Sequence, residues 1–260
     1  MQSLLCYCSC KACFAYCSGQ PWLTDERARQ LRLSMLRPDP LYMKKAIVLL
    51  SGGIDSSTTL YIAQHQGYKP LCLIFDYHQR HRREIKSAKK IAQSITADYK
   101  ILKISLPESK SSLLNPNISL KPGKKKIPLT YVPARNIIFL SYAVSYAESY
   151  GISAIFIGAN QIDYSGYPDC RETFISAFNR MIGEGTQKKK IKVIVPLIKM
   201  TKGEIIKLGM KLKVPYHLTW SCYAGGEKPC LKCDSCKIRL KGFREAGIKD
   251  PLLDGKSKNF

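Results

Sequence analysis

Acidic residues are scarce in this chain. Nineteen aspartates and glutamates stand against 42 lysines and arginines in 260 residues, a formal net charge of +23. Such an imbalance attracts polyanions. Its densest runs, Lys121 to Lys126 (K-P-G-K-K-K) and Lys188 to Lys192 (K-K-K-I-K), lack the interleaved aromatics of a base-stacking platform. They read as solvated loops, and no nucleic-acid partner is expected. No apolar run approaches the ~20 residues of a membrane-spanning helix, and no membrane partner is expected. Met1 to Gln20 lacks a basic start ahead of a clean apolar stretch and carries Lys11 in its middle, so it is not an ordinary secretory signal. Cysteine is nearly absent from the middle of the chain. Cys72 and Cys170 stand there alone, while Cys6, Cys8, Cys10, Cys13 and Cys17 crowd one end and Cys222, Cys230, Cys233 and Cys236 the other.

The stretch that organises the rest is Ala46 to Leu60, A-I-V-L-L-S-G-G-I-D-S-S-T-T-L. Ala46 to Leu50 is too short for a free-standing helix and apolar throughout, the mark of a strand buried on both faces. Ser51-Gly52-Gly53 breaks it, and a helix is expected from Ser56 to Gln66, closed by Gly67. Glycines at a helix N-terminus let bare amides approach an anion. The lysine of G-x-x-x-x-G-K-[ST] and the third glycine of a dinucleotide fingerprint are both missing, so neither common phosphate motif applies. The stretch instead resembles the PP-loop, S-G-G-x-D-S, of the ATP pyrophosphatases, which split ATP between its α and β phosphates. That resemblance implies a nucleotide site made of Leu50, Ser51, Gly52, Gly53, Ile54, Asp55, Ser56 and Ser57. The amides and hydroxyls of Ser51, Gly52, Gly53 and Ser56 would hold the expelled pyrophosphate, and Asp55 would order the loop or its Mg2+.

Strand and helix then alternate. Strands are expected over Pro70–Phe75, Tyr99–Ile104, Ala154–Gly158 and Val193–Val195, with helices over Arg82–Ile95, Val132–Tyr150, Arg171–Ile182 and Lys202–Met210. This pattern predicts an α/β fold with a doubly wound, mostly parallel sheet, and ligands at the C-terminal ends of its strands. Three features lie at those ends. Arg135, in Pro133-Ala134-Arg135-Asn136, is placed either to grip a carboxylate or phosphate bidentately or to make a surface ion pair. The loop Ala159 to Arg171 carries Asp163, Tyr164, Tyr167 and Asp169, suited to stacking on and hydrogen-bonding a flat, guanine-like ring. Thr201 and Glu204 form a capping box that opens a helix at Lys202, which either faces solvent or reaches the nucleotide's phosphates. Leu106 to Leu129, rich in Pro, Ser, Asn and Lys, reads as a long mobile loop of the kind that forms lids.

At the other end, C-x7-C-x2-C-x2-C (Cys222, Cys230, Cys233, Cys236) supplies four thiolates, the set a structural Zn2+ takes, with iron–sulfur ligation as the alternative. Three segments are therefore expected: residues 1–42, read as a poorly ordered or spurious extension with Met43 the natural start; an ATP-binding α/β domain at 43–215; and a zinc-binding lobe at 216–260 packed on the same domain. Reduced thiols and the lack of a signal point to the cytoplasm.

Phe75 to His81 (F-D-Y-x-Q-R-H), V-P-A-R-N, Y-S-G-Y-P-D-C-R, T-W-S-C-Y-x-G-G and the cysteine tail follow the PP-loop in one order. Together they resemble the 7-cyano-7-deazaguanine synthases of queuosine biosynthesis, from Lys45 to about Leu252 and not over Met1 to Tyr42. His78 stands where that family often has glycine. The resemblance implies an ATP-dependent C–N ligase, commonly a homodimer, that joins 7-carboxy-7-deazaguanine and ammonia. Adenylating the acid, and later the amide, would yield the nitrile. Asp55, Arg135 and Lys202, with ATP and Mg2+, would neutralise charge; Asp163, Tyr164, Tyr167, Asp169 and Arg171 would bind the substrate; Zn2+ would be structural. Two rival readings are a PP-loop tRNA thiolase, for which Cys170 would have to carry the sulfur, and a zinc-ribbon RNA-binding protein.

Overall fold

Burial on both faces explains the unbroken apolar run at the start of the fold. In the computed structural model β1 (Lys45–Leu49) is the central strand of a five-stranded sheet, and Ile47 and Val48 are fully buried. The structure describes residues 43–254 apart from 108, 116, 119, 121–127, 161–166 and 188. The expectations for residues 1–42, the Lys121 to Lys126 run, Asp163 and Tyr164 lie outside the described residues.

β1 is flanked by β2 (Lys69–Asp76) and then β3 (Asp98–Lys103) on one side, and by β4 (Ala154–Ile157) and then β5 (Lys192–Ile194) on the other. Every pairing is parallel. The helices are α1 (Ile54–His65), α2 (Arg83–Ser94), α3 (Arg135–Tyr150), α4 (Glu172–Gly185), α5 (Lys202–Lys211) and α6 (Asp234–Ala246). Strand side chains alternate between two cores. Ala46, Val48 and Leu50 pack with Leu60 of α1, Ile91 of α2 and Ile205 of α5; Ile47 and Leu49 pack with Leu140 of α3 and Phe178 of α4. The sheet is thus covered on both faces, as a doubly wound fold requires. The strand order reverses between β1 and β4, and a crevice opens beyond their C-terminal ends.

Boundaries differ from expectation where side chains do something other than cap. α1 starts two residues early, because the Ser57 hydroxyl bonds back to the Gly53 carbonyl at 2.6 Å and Gly53 is the N-cap. α3 starts at Arg135 rather than Val132, because Ala134 adopts a left-handed conformation (φ +54°) that stops the helix from reaching back to Pro133. The capping box of α5 is present, with the Thr201 hydroxyl accepting from the Glu204 amide. α6, capped by Cys233, has no counterpart among the expected helices. It packs closely on α5, and Gly242 makes this possible: a Cβ there would lie 2.2 Å from Cγ of Lys202.

Candidate active site

The crevice begins with the loop that joins β1 to α1. Gly52 sits at φ +84°, a conformation that L side chains avoid, and a Cβ on it would lie 2.5 Å from the backbone oxygen of Glu84. Gly53 is extended (φ −82°), and a Cβ there would meet nothing closer than the Ser51 hydroxyl at 3.6 Å. One glycine therefore seats the loop against α2, and the other leaves its face open to the cleft. The Ser51 and Ser56 hydroxyls are 2.9 Å apart, and Ser56 Oγ also accepts from the Ser51 amide at 3.2 Å. Among the described residues no side chain caps α1. Its first-turn amides and positive dipole end are left for an anion.

Lys202 closes one side. Its ammonium donates to both oxygens of Asp55, at 2.6 and 2.7 Å, and its side chain is only 5% exposed. It does not face solvent. A cation is thereby fixed beside the first turn of α1, held by the loop's own carboxylate.

The opposite wall comes from β2, α2 and α3. Arg135 does not form a surface ion pair among the described residues; it lines the cleft, donates to the Tyr77 hydroxyl at 3.2 Å and lies 5.8 Å from that ring's centre. Burial pushes the Tyr77 phenol up, opposed by Arg135. Glu84, in the first turn of α2, also faces the cleft, and burial pushes its carboxyl up to about 7 against the pull of Arg135. His78 has φ +59°, which accounts for a glycine preference at that position.

Asp169 is buried and accepts from the Asn136 amide at 3.1 Å, so one of its oxygens already caps α3. Tyr167 shares a 2.6 Å hydrogen bond with the Thr130 hydroxyl and lines the cleft. Beside them, burial first and then the Asp169 charge push the Cys170 thiol up to about 12, and Asn136 donates to its sulfur at 3.4 Å. It is a thiol at neutral pH and a poor nucleophile.

The cleft holds about 260 Å³ and gathers Leu50, Ser51, Gly53, Ile54, Asp55, Ser56, Arg135, Tyr167, Asp169 and Lys202. Three expected residues are not on its wall. Gly52 and Ser57 sit behind the loop, and Arg171 is exposed as the N-cap of α4. Sequence reasoning gave no role to Glu84, Tyr77 or Trp220, all on the cleft wall. Tyr77 and Trp220 lie in the runs Phe75 to His81 and Thr219 to Gly226, and Glu84 follows the first of these at the start of α2.

The four cysteines come together as expected. Their sulfurs all lie within 4.8 Å of one another, and Cys230 and Cys236 are 4.0 Å apart. Tetrahedral Zn–S bonds of ~2.3 Å need sulfurs about 3.8 Å apart, so the set fits zinc. Amides of Cys230 and Cys233 donate to the sulfurs of Cys222 and Cys230. The lobe is tied to the loop by Trp220, whose ring nitrogen donates to the Cys222 carbonyl and whose amide donates to the Gly52 carbonyl, both at 2.9 Å. Arg83 stacks on its ring at 4.4 Å. Behind it, the buried Arg239 makes a bidentate pair with Asp250 at 2.6 and 2.8 Å.

The family model described as "Queuosine biosynthesis protein QueC" matches residues 45–247. A 7-cyano-7-deazaguanine synthase of Thermoplasma volcanium is 50% identical over 84% of this chain and 93% of its own length. Proteins of the same name from Thermoplasma acidophilum and Acetivibrio thermocellus are each 52% identical, covering 84% and 81% of this chain and 94% and 97% of theirs.

Proposed function

The chain belongs to the QueC family of queuosine biosynthesis proteins, and from that premise we propose that it is the ligase that converts 7-carboxy-7-deazaguanine and ammonia to 7-cyano-7-deazaguanine at the expense of ATP. The observation that carries this reading is the uncapped start of α1 facing a cleft, with Lys202 fixed beside it by Asp55.

A carboxylate is a poor acyl donor. Its oxygen attacks the α-phosphorus of ATP and pyrophosphate leaves into the Ser51 to Ser56 cradle, stabilised by amides, hydroxyls and Lys202. Ammonia displaces AMP to give the amide, and a second adenylation on the amide oxygen makes that oxygen a leaving group, so the nitrile forms. Arg135 neutralises charge on the acid or phosphate. Tyr167 and Asp169 contribute to the deazaguanine pocket, together with Asp163 and Tyr164; Arg171, exposed on α4, has no support from its position. Asp55, with both oxygens on Lys202, orders the loop, and Mg2+ bound with the nucleotide's phosphates would shield their charge. Zn2+ held by Cys222, Cys230, Cys233 and Cys236 is structural, since four protein ligands leave no open position.

No helix among the described residues is long and apolar enough to cross a membrane. We place the enzyme in the cytoplasm, with the cysteine lobe running over 216–260 on the 43–215 domain, and we propose a homodimer. The thiolase reading is weakened by Cys170, a half-buried thiol whose pKa is pushed up to about 12. The test is mass spectrometry of products from ATP, Mg2+, ammonium and 7-carboxy-7-deazaguanine. Nitrile and AMP from the wild type, both lost in Asp55→Ala, support the ligase; their absence from zinc-loaded wild type sinks it.

A further inference from the structure

Making a nitrile from an acid and ammonia is a problem of protons as much as of phosphates. When ammonia's nitrogen bonds to the acyl carbon, the carbon–oxygen bond to AMP breaks with its electrons on the phosphate oxygen, and one N–H proton must leave. When the amide oxygen has been adenylated, breaking that second carbon–oxygen bond yields the nitrile only if both remaining N–H protons leave. Three protons come off one nitrogen at one site. Pyrophosphate cradles and cations do not remove them.

Among the described residues of the cleft wall, one carboxylate is left for the task. Glu84 stands at the second position of α2, whose start is locked to the phosphate loop by the Gly52 contact at its backbone oxygen. Its side chain is half-buried on the cleft wall, between the loop and Arg135, and among the described residues it has no hydrogen bond or ion pair of its own. The other carboxylates of the cleft are engaged: Asp55 holds Lys202, and Asp169 caps α3. We propose that Glu84 is the general base of the reaction, taking the N–H protons in turn and passing each to water in the cleft. The proposal rests on the ligase reading above.

Its surroundings suit that role. Arg135 from α3 and Tyr77 from the end of β2 are its electrostatic neighbours, and the titratable groups that line the same cleft are Arg80 and His81 before α2, Asp55 with Lys202, Tyr131, Tyr167, Asp169 and Cys170, and Tyr223 and Arg239. Burial raises its carboxyl to about 7 and Arg135 only partly offsets this. A base is most effective when its pKa lies near the working pH. The carboxylate form predominates just above neutrality and still has enough basicity to accept a proton.

The test compares wild type with Glu84→Gln and Glu84→Asp from about pH 5 to about pH 9, a span that brackets a limb near neutrality. Acid-dependent exchange of label between pyrophosphate and ATP reads the first adenylation; amide and nitrile formation read the proton-removing steps. The expected result for Glu84→Gln is exchange within about threefold of wild type and product formation lower by about 10²–10⁴-fold. The wild-type limb near pH 7 should be absent, and Glu84→Asp should restore part of the rate with a shifted limb. Nitrile from both wild type and Glu84→Gln at similar rates and with one pH profile overturns the proposal alone. So does a parallel loss of exchange, which would make Glu84 a positioning residue. No nitrile from the wild type overturns the ligase reading and this proposal with it.

Discussion

The phosphate loop and the cysteine lobe share one hydrogen bond, from the Trp220 amide to the Gly52 carbonyl, and are built on opposite rules. The loop leaves polar groups open: among the described residues α1 has no side-chain cap, a Cβ on Gly53 would meet nothing closer than 3.6 Å, and Asp55, the anion of its ion pair, keeps a side chain 17% exposed. The lobe pairs its interior groups. Its four sulfurs lie within 4.8 Å of one another, and Arg239 and Asp250 are each 4% exposed, with the guanidinium also bonded to Thr219 and the Tyr216 carbonyl. Unmet hydrogen-bonding capacity marks where a ligand is to come, and complete pairing marks a support.

The comparison breaks most severely if the support is removed. Cys222→Ser, or stripping the metal with a chelator, should abolish stoichiometric zinc and with it both the cooperative melt and the nitrile assay. Structural zinc in small folds contributes about 10–16 kcal/mol, as much as a domain's whole stability. Retained activity at zero metal content would contradict a supporting role.

The two ion pairs sharpen it. Arg239→Met strands a fully enclosed Asp250 and should cost about 3–5 kcal/mol in urea denaturation. Lys202→Met should cost less, because Asp55 is closer to water, yet lower turnover per folded molecule by more than tenfold. Equal stability losses with intact turnover would erase the distinction.

The glycines separate fold from function inside the loop. Gly52→Ala should destabilise by at least about 1–2 kcal/mol, from its left-handed backbone and the Glu84 clash. Gly53→Ala should stay within about 1 kcal/mol of wild type by the same measure, while ATP affinity measured by calorimetry falls several-fold.

The smallest effect is expected at Cys170. Its thiol, pushed up to about 12, is un-ionised at the pH of the assay, so Cys170→Ser should keep product formation within about threefold. Complete loss with full adenylation would mean a covalent thioimidate.

These contrasts also show what was legible in the chain itself. β1 was readable because a strand buried on both faces has no polar positions, and the Thr201–Glu204 box and the turn at Gly67 were readable because each is a local rule, satisfied at φ +81° for the glycine. The cysteine cluster was readable from spacing. What could not be read depends on chain brought from far away. Lys202 and Asp55 are 147 positions apart, and no local pattern pairs them. Glu84 looks like any acidic residue of a helix's first turn until Gly52 is seen against its backbone. Ser56 and Ser57 looked like caps, but their hydroxyls turn back into the loop. Arg171 looked like part of a substrate loop, and the 3₁₀ turn Pro168–Cys170 leaves it outside.

The central claim, that substrate oxygen attacks the α-phosphorus in this cleft, is tested most directly with 7-carboxy-7-deazaguanine labelled with oxygen-18 at both carboxyl oxygens. The account predicts two AMP per nitrile, each carrying one labelled oxygen. Label in inorganic phosphate or in water, with unlabelled AMP, would contradict it.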